Sequence, residues 1–577
     1  MRELESNAHL NRRDASALAF STYLLISLIA GYALAINFPS LRDYAGCTTK
    51  IAFVLFAIRI TLGIVEAKFD FLSQKTEALL KSIFACFICM LFAFGYYFWR
   101  TTPNPYPNFV PRELSCACKI IDVSHGVNES LYGIAQIVES PENYPLLNGR
   151  KVWFTISDGK GGLRQPIDVI QTQVLKFNGT LSPVSMNSSA FGWQKEGSDK
   201  FANYLLSRGI DYKVFSNSTN VESRTDANWL FEKFHSCSRY ISSHLSKFPF
   251  GLSSDSTSAR TYRAMVLGDK SLLTSTQKTT FARTGIMHVF AVSGLHIGFA
   301  ASVFYFITGF FRLNFRTRML IVIPILLMYV GACGCKPSAI RAFGMICVVW
   351  LAMSLMRSVR VYDALILTAF ITLVIFPTDF TDAGFALSYC ITASIFAYST
   401  PLFKELSDRF RPRICGLGYF SKLIFSIKQK AFDFIVGGIC ISFGCTIAAF
   451  PLSAHYFGYA SLLSFIYSPL YVLGAGCVVS LGLIAVILPA FVGQFFNFIA
   501  YGIVWTMDNS AQYLFGMADM SLDYSIMNGA ISGLAVIAFL FVASLLCAGK
   551  NKGLLGFFIA PLVMFAIITI SEIFYLL

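Results

Sequence analysis

The chain of 577 residues is 55% hydrophobic and 14% charged, with a formal net charge of +14 and a mean hydropathy of +0.60. Soluble domains carry about 25% charged residues, so this composition excludes a soluble globular protein and defines an integral membrane protein. In such a chain much of the positive excess is basic residues held on the cytoplasmic side, so it is weak evidence for an anionic partner.

Apolar runs near 17–37, 51–66 and 78–98 predict three spans, close to the ~17–25 residues needed to cross ~30 Å of hydrocarbon. Arg12 and Arg13 precede the first, and Lys68, Lys75 and Lys81 surround the loop after the second. This places the N-terminus in the cytoplasm and residue 100 outside. The first run leads into further spans without a cleavage site, so it reads as a retained helix.

Residues 100–225 are polar, and short β-branched runs such as "LYGIAQIVES", "KVWFTISD" and "IDYKVFS" alternate with the turn signals "SHG", "SDGKGG" and "NGT". About five strands with a short helix, "DKFANYLLSRG", predict a small extracytoplasmic OB-like β-barrel. Trp153, Phe154, Phe177 and Trp193 either stack bases, as such barrels allow, or fill the barrel core. Residues 226–283 predict amphipathic helices on the membrane surface, with an incomplete apolar face in "NWLFEKFHSCSRYISSHLSKF".

Spans resume near 286–311, 319–334, 338–356, 361–377, 384–402, 431–452, 460–485, 487–507, 526–548 and 554–577. Basic clusters at Arg312, Arg316 and Arg318, at Arg357 and Arg360, across 403–430, and at Lys550 and Lys552 then all fall inside. The fold class is a polytopic α-helical membrane protein with about thirteen transmembrane helices, an inserted OB-like domain and an extracytoplasmic C-terminus. Its organisation is a three-helix membrane region (1–99), the β domain (100–225), the surface helices (226–283) and a transmembrane core (284–577).

Most of the fifteen cysteines lie in apolar runs, and no CxxC stands near His at metal-ligand spacing, so neither metal nor cofactor is expected. "LGDKS" lacks the upstream Gly and the Gly–Lys pair of a P-loop, so no NTP motor is expected either.

The stretch "FARTGIMHVFAVSGLHIGFA" concentrates polar groups at the mouth of a span. His288 and His296 are eight apart, Ser293 lies three before His296, and Gly294 and Gly298 form a GxxxG packing seam. These residues fit a hydrogen-bonded seam, a pore lining, or a Ser293–His296 nucleophile of an intramembrane hydrolase; no acid in the span orients the histidines. Arg263, Asp269 and Lys270 precede it on the outer side. "GCKPSAIRAFGM" brings Arg341, and "FPTDFTDAGFALSY" brings Asp382, Gly384 and Ser388, to the same side. Arg341 and Asp382 fit an ion pair at a helix junction or the rim of an outward cavity, and the sequence leaves both open. A small-solute transporter is a further alternative, although no internal repeat supports it.

In order, "YRAMVLGDKSLL…FARTGIMHVFAVSGLHIG", "GCKPSAIRA", "FPTDFTDAGFALSY" and "AAFPLSAHYFGYASLLSF" resemble the ComEC-type competence proteins, as does "SDKFANYLLSRGI" in the β domain. The resemblance implies a bacterial inner-membrane channel, not an enzyme, that carries single-stranded DNA inward during natural transformation. It implies an extracytoplasmic DNA receptor and a cytoplasmic ATP-driven translocase as partners. Arg263, Gly268, Asp269, His288, Ser293, Gly294, His296, Arg341, Asp382, Gly384 and Ser388 match the family motifs, with Lys270 adjoining, as candidates for the DNA path, gates or structural pins. Ala386 stands where the family often has Gln, and "EGS" at 196–198 replaces "NPG". No HxHxDH-like cluster of the family's nuclease domain is present, so strand degradation is expected of a separate protein.

Overall fold

The computed structural model describes most of residues 22–37, 74–101, 109–125, 130–158, 169–184, 201–249, 253–355, 361–410, 419–461, 464–517, 521–523, 529–548 and 555–576. In chain order these form α1 (Thr22–Asn37), α2 (Gln74–Arg100), β1 (Arg112–His125), β2 (Leu131–Glu139), β3 (Lys151–Ile156), β4 (Val174–Pro183), β5 (Ile210–Ser216) and β6 (Val221–Thr225). Next come α3 (Trp229–Leu245), α4 (Thr257–Leu267), α5 (Ser275–Arg283), α6 (Gly294–Gly309), α7 (Phe315–Ala332), α8 (Pro337–Ser354) and α9 (Val361–Ile375). The last group is α10 (Ala383–Ser394), α11 (Thr400–Phe410), α12 (Tyr419–Phe457), β7 (Tyr459–Ser461), α13 (Ser464–Ile487), α14 (Ala490–Met517), β8 (Ser521–Asp523), α15 (Gly529–Ala548) and α16 (Leu555–Leu576).

Among the described residues, seven helical stretches are long and apolar enough to span a membrane, and five more apolar helices are shorter. The chain is therefore a helical membrane protein, but thirteen spans are not reached among the described residues. Two of the differences are local. The predicted span from 286 opens with a 3-10 turn at Met287–Phe290, so helix begins only at Gly294. The predicted span 384–402 runs on as helix to Phe410 through a π-helical turn at Ile395–Ser399. Most of the predicted span 51–66 lies outside the described residues.

The chain divides into two compact units, one of residues 1–123, 130–226 and 355–382, the other of 124–129, 227–354 and 383–577. In the first, α1 and α2 approach closely: a Cβ on Gly31 would lie 2.4 Å from the Met90 carbonyl oxygen. Together they hold the end of α9. Tyr32 Oη donates to the Leu373 carbonyl at 2.9 Å, Tyr96 Oη to that of Val374 at 2.8 Å, and Arg100 to that of Ile375 at 3.0 Å. Those are last-turn carbonyls with no acceptor role left inside the helix, so three side chains cap it.

The β strands close a five-stranded barrel in the order β1-β2-β3-β5-β4-β1, with β3 and β5 parallel and β6 added outside β4. The alternating burial of β3 and β5 sends Val152, Phe154, Ile156, Tyr212 and Val214 inward, which is the period of two that a half-buried strand requires. Sequence reading found five of the strands and missed the short β6.

In the second unit, α3 behaves as an amphipathic helix, burying Phe234, Ile241 and Leu245. α4 does not. Ala259, Thr261, Tyr262, Ala264, Met265 and Val266 are all fully buried, and the helix packs against α13 and α14. The expectation of a surface helix there is corrected: its alanines and hydroxyls make it weakly hydrophobic by composition, yet small enough for close packing on every side. α4 ends at Gly268, whose φ of +70° and whose missing Cβ, 1.9 Å from Val292 Cγ2, both demand glycine. Gly149 has a similar φ of +79° with open space around it. Gly268→Ala should therefore destabilise the protein by about 2–4 kcal/mol, and clearly more than Gly149→Ala, in thermal unfolding of the detergent-purified chain.

Candidate functional site

The polar stretch at 281–300 is built as a loop that caps a helix. α5 ends at Arg283, Gly285 turns the chain at φ +77°, and the 3-10 turn carries His288. His288 Nδ1 lies 2.9 Å from the Gly285 carbonyl, and its Nε2 lies 3.3 Å from Ser468 Oγ on α13. The ring thus donates at Nδ1 and accepts at Nε2, as a neutral imidazole does. Tyr467 Oη donates to the Thr284 carbonyl, pinning the same loop to α13. His288 precedes the helix, so the two histidines do not share one helical face as their spacing suggests.

Ser293 is the N-cap of α6, and His296 lies in its first turn at 3% exposure. His296 Nδ1 accepts from the Ser293 backbone N–H at 3.3 Å and lies 2.9 Å from Ser293 Oγ. An accepting Nδ1 puts the proton of the neutral ring on Nε2. That Nε2 is buried and has no hydrogen-bond partner among the described residues. The expected Gly294–Gly298 seam is weaker than its motif. A Cβ on Gly294 would meet the Ala342 Cβ at an ordinary 3.6 Å, and one on Gly298 would meet nothing within 4 Å.

Arg341 lies in the second turn of α8, 5% exposed. Its guanidinium donates to the Gly384 carbonyl at 2.6 Å and stands 6.0 Å from the Tyr389 ring centre. The carbonyl and the ring face both suit a cation taken out of water. Ser388, one residue before Tyr389, is half-buried.

Upstream, the candidates separate. Arg263 donates to the Ser254 carbonyl at 3.1 Å; burial lowers its pKa and the Asp255 carboxylate partly restores it. Asp269 accepts from the Ser271 N–H at 3.0 Å and so caps the turn Lys270–Leu272, leaving Lys270 exposed.

In the first unit, Asp382 is 5% exposed and paired with Arg208, which follows the barrel's helical turn. Phe154 and Phe177 are fully buried with ring centres 5.6 Å apart. They fill the barrel and offer no face to a base, which corrects the stacking expectation for both. Trp153 is half-buried between Tyr132, stacked at 5.5 Å, and Phe201 at 5.2 Å. Trp193 lies outside the described residues.

Sequence reading missed a second polar cluster. Asp508, in α14, is 5% exposed and accepts from Ser258 Oγ at 3.1 Å. Gln277, also buried, donates to Thr261 Oγ1 at 2.9 Å beside it. The signal was present as an acid among apolar residues in "YGIVWTMDNSAQ". The predicted span stopped at 507, whereas the helix continues to Met517.

Fold and buried polar groups define a polytopic helical membrane protein carrying a small closed barrel. Residues 265–552 match the Competence family, described as Competence protein. The chain belongs to this family. It is 30% identical to the ComE operon protein 3 of Bacillus subtilis (strain 168) over 148 residues, which are 25% of this chain and 18% of that protein. The match therefore spans less than a fifth of that relative's length. No solved structure matches the chain.

Breaking a largely buried ion pair leaves one charge uncompensated. Arg208→Ala should cost about 1–3 kcal/mol, and Arg208→Ala with Asp382→Asn should cost less than the two singles summed. Thermal unfolding of the four proteins of the cycle measures this.

Proposed function

We propose that the chain is the inner-membrane channel through which single-stranded DNA enters the cytoplasm during natural transformation. Membership of the competence family supports a role in DNA uptake, and the family match includes the polar stretch, Arg341 and Ser388. The observation that carries the channel reading is Arg341, a guanidinium held inside an apolar helix on a carbonyl and an aromatic face. A cation in a membrane-spanning helix is costly to keep, and most often marks a path for a polar or charged solute. Each nucleotide carries a negative charge, which such a cation attracts.

On this reading the N-terminus is cytoplasmic and the barrel extracytoplasmic. The barrel's strand order, with β3 and β5 parallel, supports an OB-type domain that meets the DNA after an outer receptor delivers it. Inward pull comes from a cytoplasmic ATP-driven translocase, strand degradation from a separate nuclease, and the chain itself is not an enzyme. His288, Ser293 and His296 shape the mouth of the path.

A second reading, an intramembrane hydrolase, has one observation in its favour: Ser293 Oγ lies 2.9 Å from His296 Nδ1. If Nδ1 took the serine proton, the resulting imidazolium would have no carboxylate on Nε2. The same distance suits a helix cap.

Arg341→Gln should lower transformation of a complemented deletion strain by at least about tenfold at unchanged membrane levels, the loss expected when a charged hydrogen-bonding group is removed. Ser293→Ala should lower it less. Full activity of Arg341→Gln, with Ser293→Ala and His296→Ala both inactive, would instead favour the hydrolase.

A further inference from the structure

The cluster around Asp508 lines a cavity of about 100 Å³, bounded by Thr276, Gln277, Thr280, Phe281, Asp508 and Gln512. Thr276 and Gln512 are exposed at its mouth, while Gln277, Thr280 and Asp508 are buried at its base. The volume holds about three waters or one partly hydrated ion.

The carboxylate is half satisfied. Oδ2 accepts from Ser258 Oγ at 3.1 Å, while beside it Gln277 donates to Thr261 Oγ1 and the Thr261 hydroxyl donates to the Thr257 carbonyl. Oδ1 is buried with no hydrogen-bond partner. Among the described residues Asp508 has no ion pair, and none of the charged side chains of α3, α4 or α5, which pack against α14, neutralises it. A buried carboxylate in that state requires a cation or a proton. The cavity beside the carboxylate opens to solvent between Thr276 and Gln512, so a hydrated cation can reach it and supply the missing positive charge.

We propose that Asp508 is the anionic ligand of an alkali-cation site, with sodium as its occupant. Carboxylate, hydroxyl and amide oxygens are hard ligands and suit a hard ion. Thr280 and Gln512 are placed to supply two further oxygens, and water fills the remainder. One carboxylate balances one positive charge, whereas a divalent ion would leave a net charge buried. The ion would link α14 to α4 and α5, the helices that lead into the polar loop at 285–293. This inference does not depend on the DNA-channel reading.

The test uses the full chain purified in detergent, titrated with sodium chloride against choline chloride at fixed ionic strength. The melting temperature should rise with sodium and stay flat in choline, as ligand linkage requires. Binding of radioactive sodium should approach one ion per chain. Asp508→Asn should abolish both effects. Should Asp508→Asn fail to fold, Thr280→Val and Gln512→Leu serve instead, each raising the half-saturating sodium concentration several-fold. The proposal is overturned by a melting temperature indifferent to sodium, by one that responds to pH alone, by an equal sodium response in Asp508→Asn, or by unchanged affinity in both secondary variants.

Discussion

A polar group removed from water must find a partner inside the protein, and in a chain with so little charge that requirement decides how the helices meet. The end of α9 shows it most simply. Its last carbonyls are met by two tyrosine hydroxyls and a guanidinium from α1 and α2, so a helix terminus that lipid would leave unsatisfied becomes a packing contact. The same rule places Arg341 on the Gly384 carbonyl, Ser338 on the Val292 carbonyl and Tyr329 on the Val266 carbonyl. Each joins elements distant in sequence through one short hydrogen bond.

Close approach is the second condition, because those bonds are short. A Cβ on Gly476 of α13 would lie 2.3 Å from the Phe299 ring of α6, and one on Gly444 of α12 would lie 2.1 Å from Ser399 Oγ in the π-helical turn. Glycine at these points lets a bulky or hydroxyl-bearing side chain from another helix sit against bare backbone. The GxxxG pair 294/298 lacks such a neighbour at its second position, so the motif by itself did not identify the contact. The contacts that matter are made by isolated glycines with no spacing signature.

Much of the architecture was legible. Hydropathy gave the helical membrane class, alternation gave five barrel strands, and motif order gave the family, because each depends on local sequence period or on a short contiguous string. Helix boundaries were less legible. The 3-10 turn ahead of Gly294 and the π-helical turn at 395–399 leave apolar composition unchanged while altering where a helix begins and which way it faces. The buried polar cluster escaped for the same reason: Asp508 lies beyond the last strongly apolar turn of a helix that tertiary packing extends.

The sequence by itself determined that this chain lies in a membrane, that it carries a small β domain, and which short motifs bear its chemistry. Only the tertiary structure decided what those residues do to one another. It turned Asp269 into a local cap and Asp382 into the partner of Arg208. It made Phe154 and Phe177 barrel core and gathered Ser258, Gln277 and Asp508 from 250 residues apart. Period and composition report on neighbours along the chain. Hydrogen bonds and ion pairs in a low-dielectric interior are fixed by distances of about 3 Å between groups whose separation in sequence carries no such information.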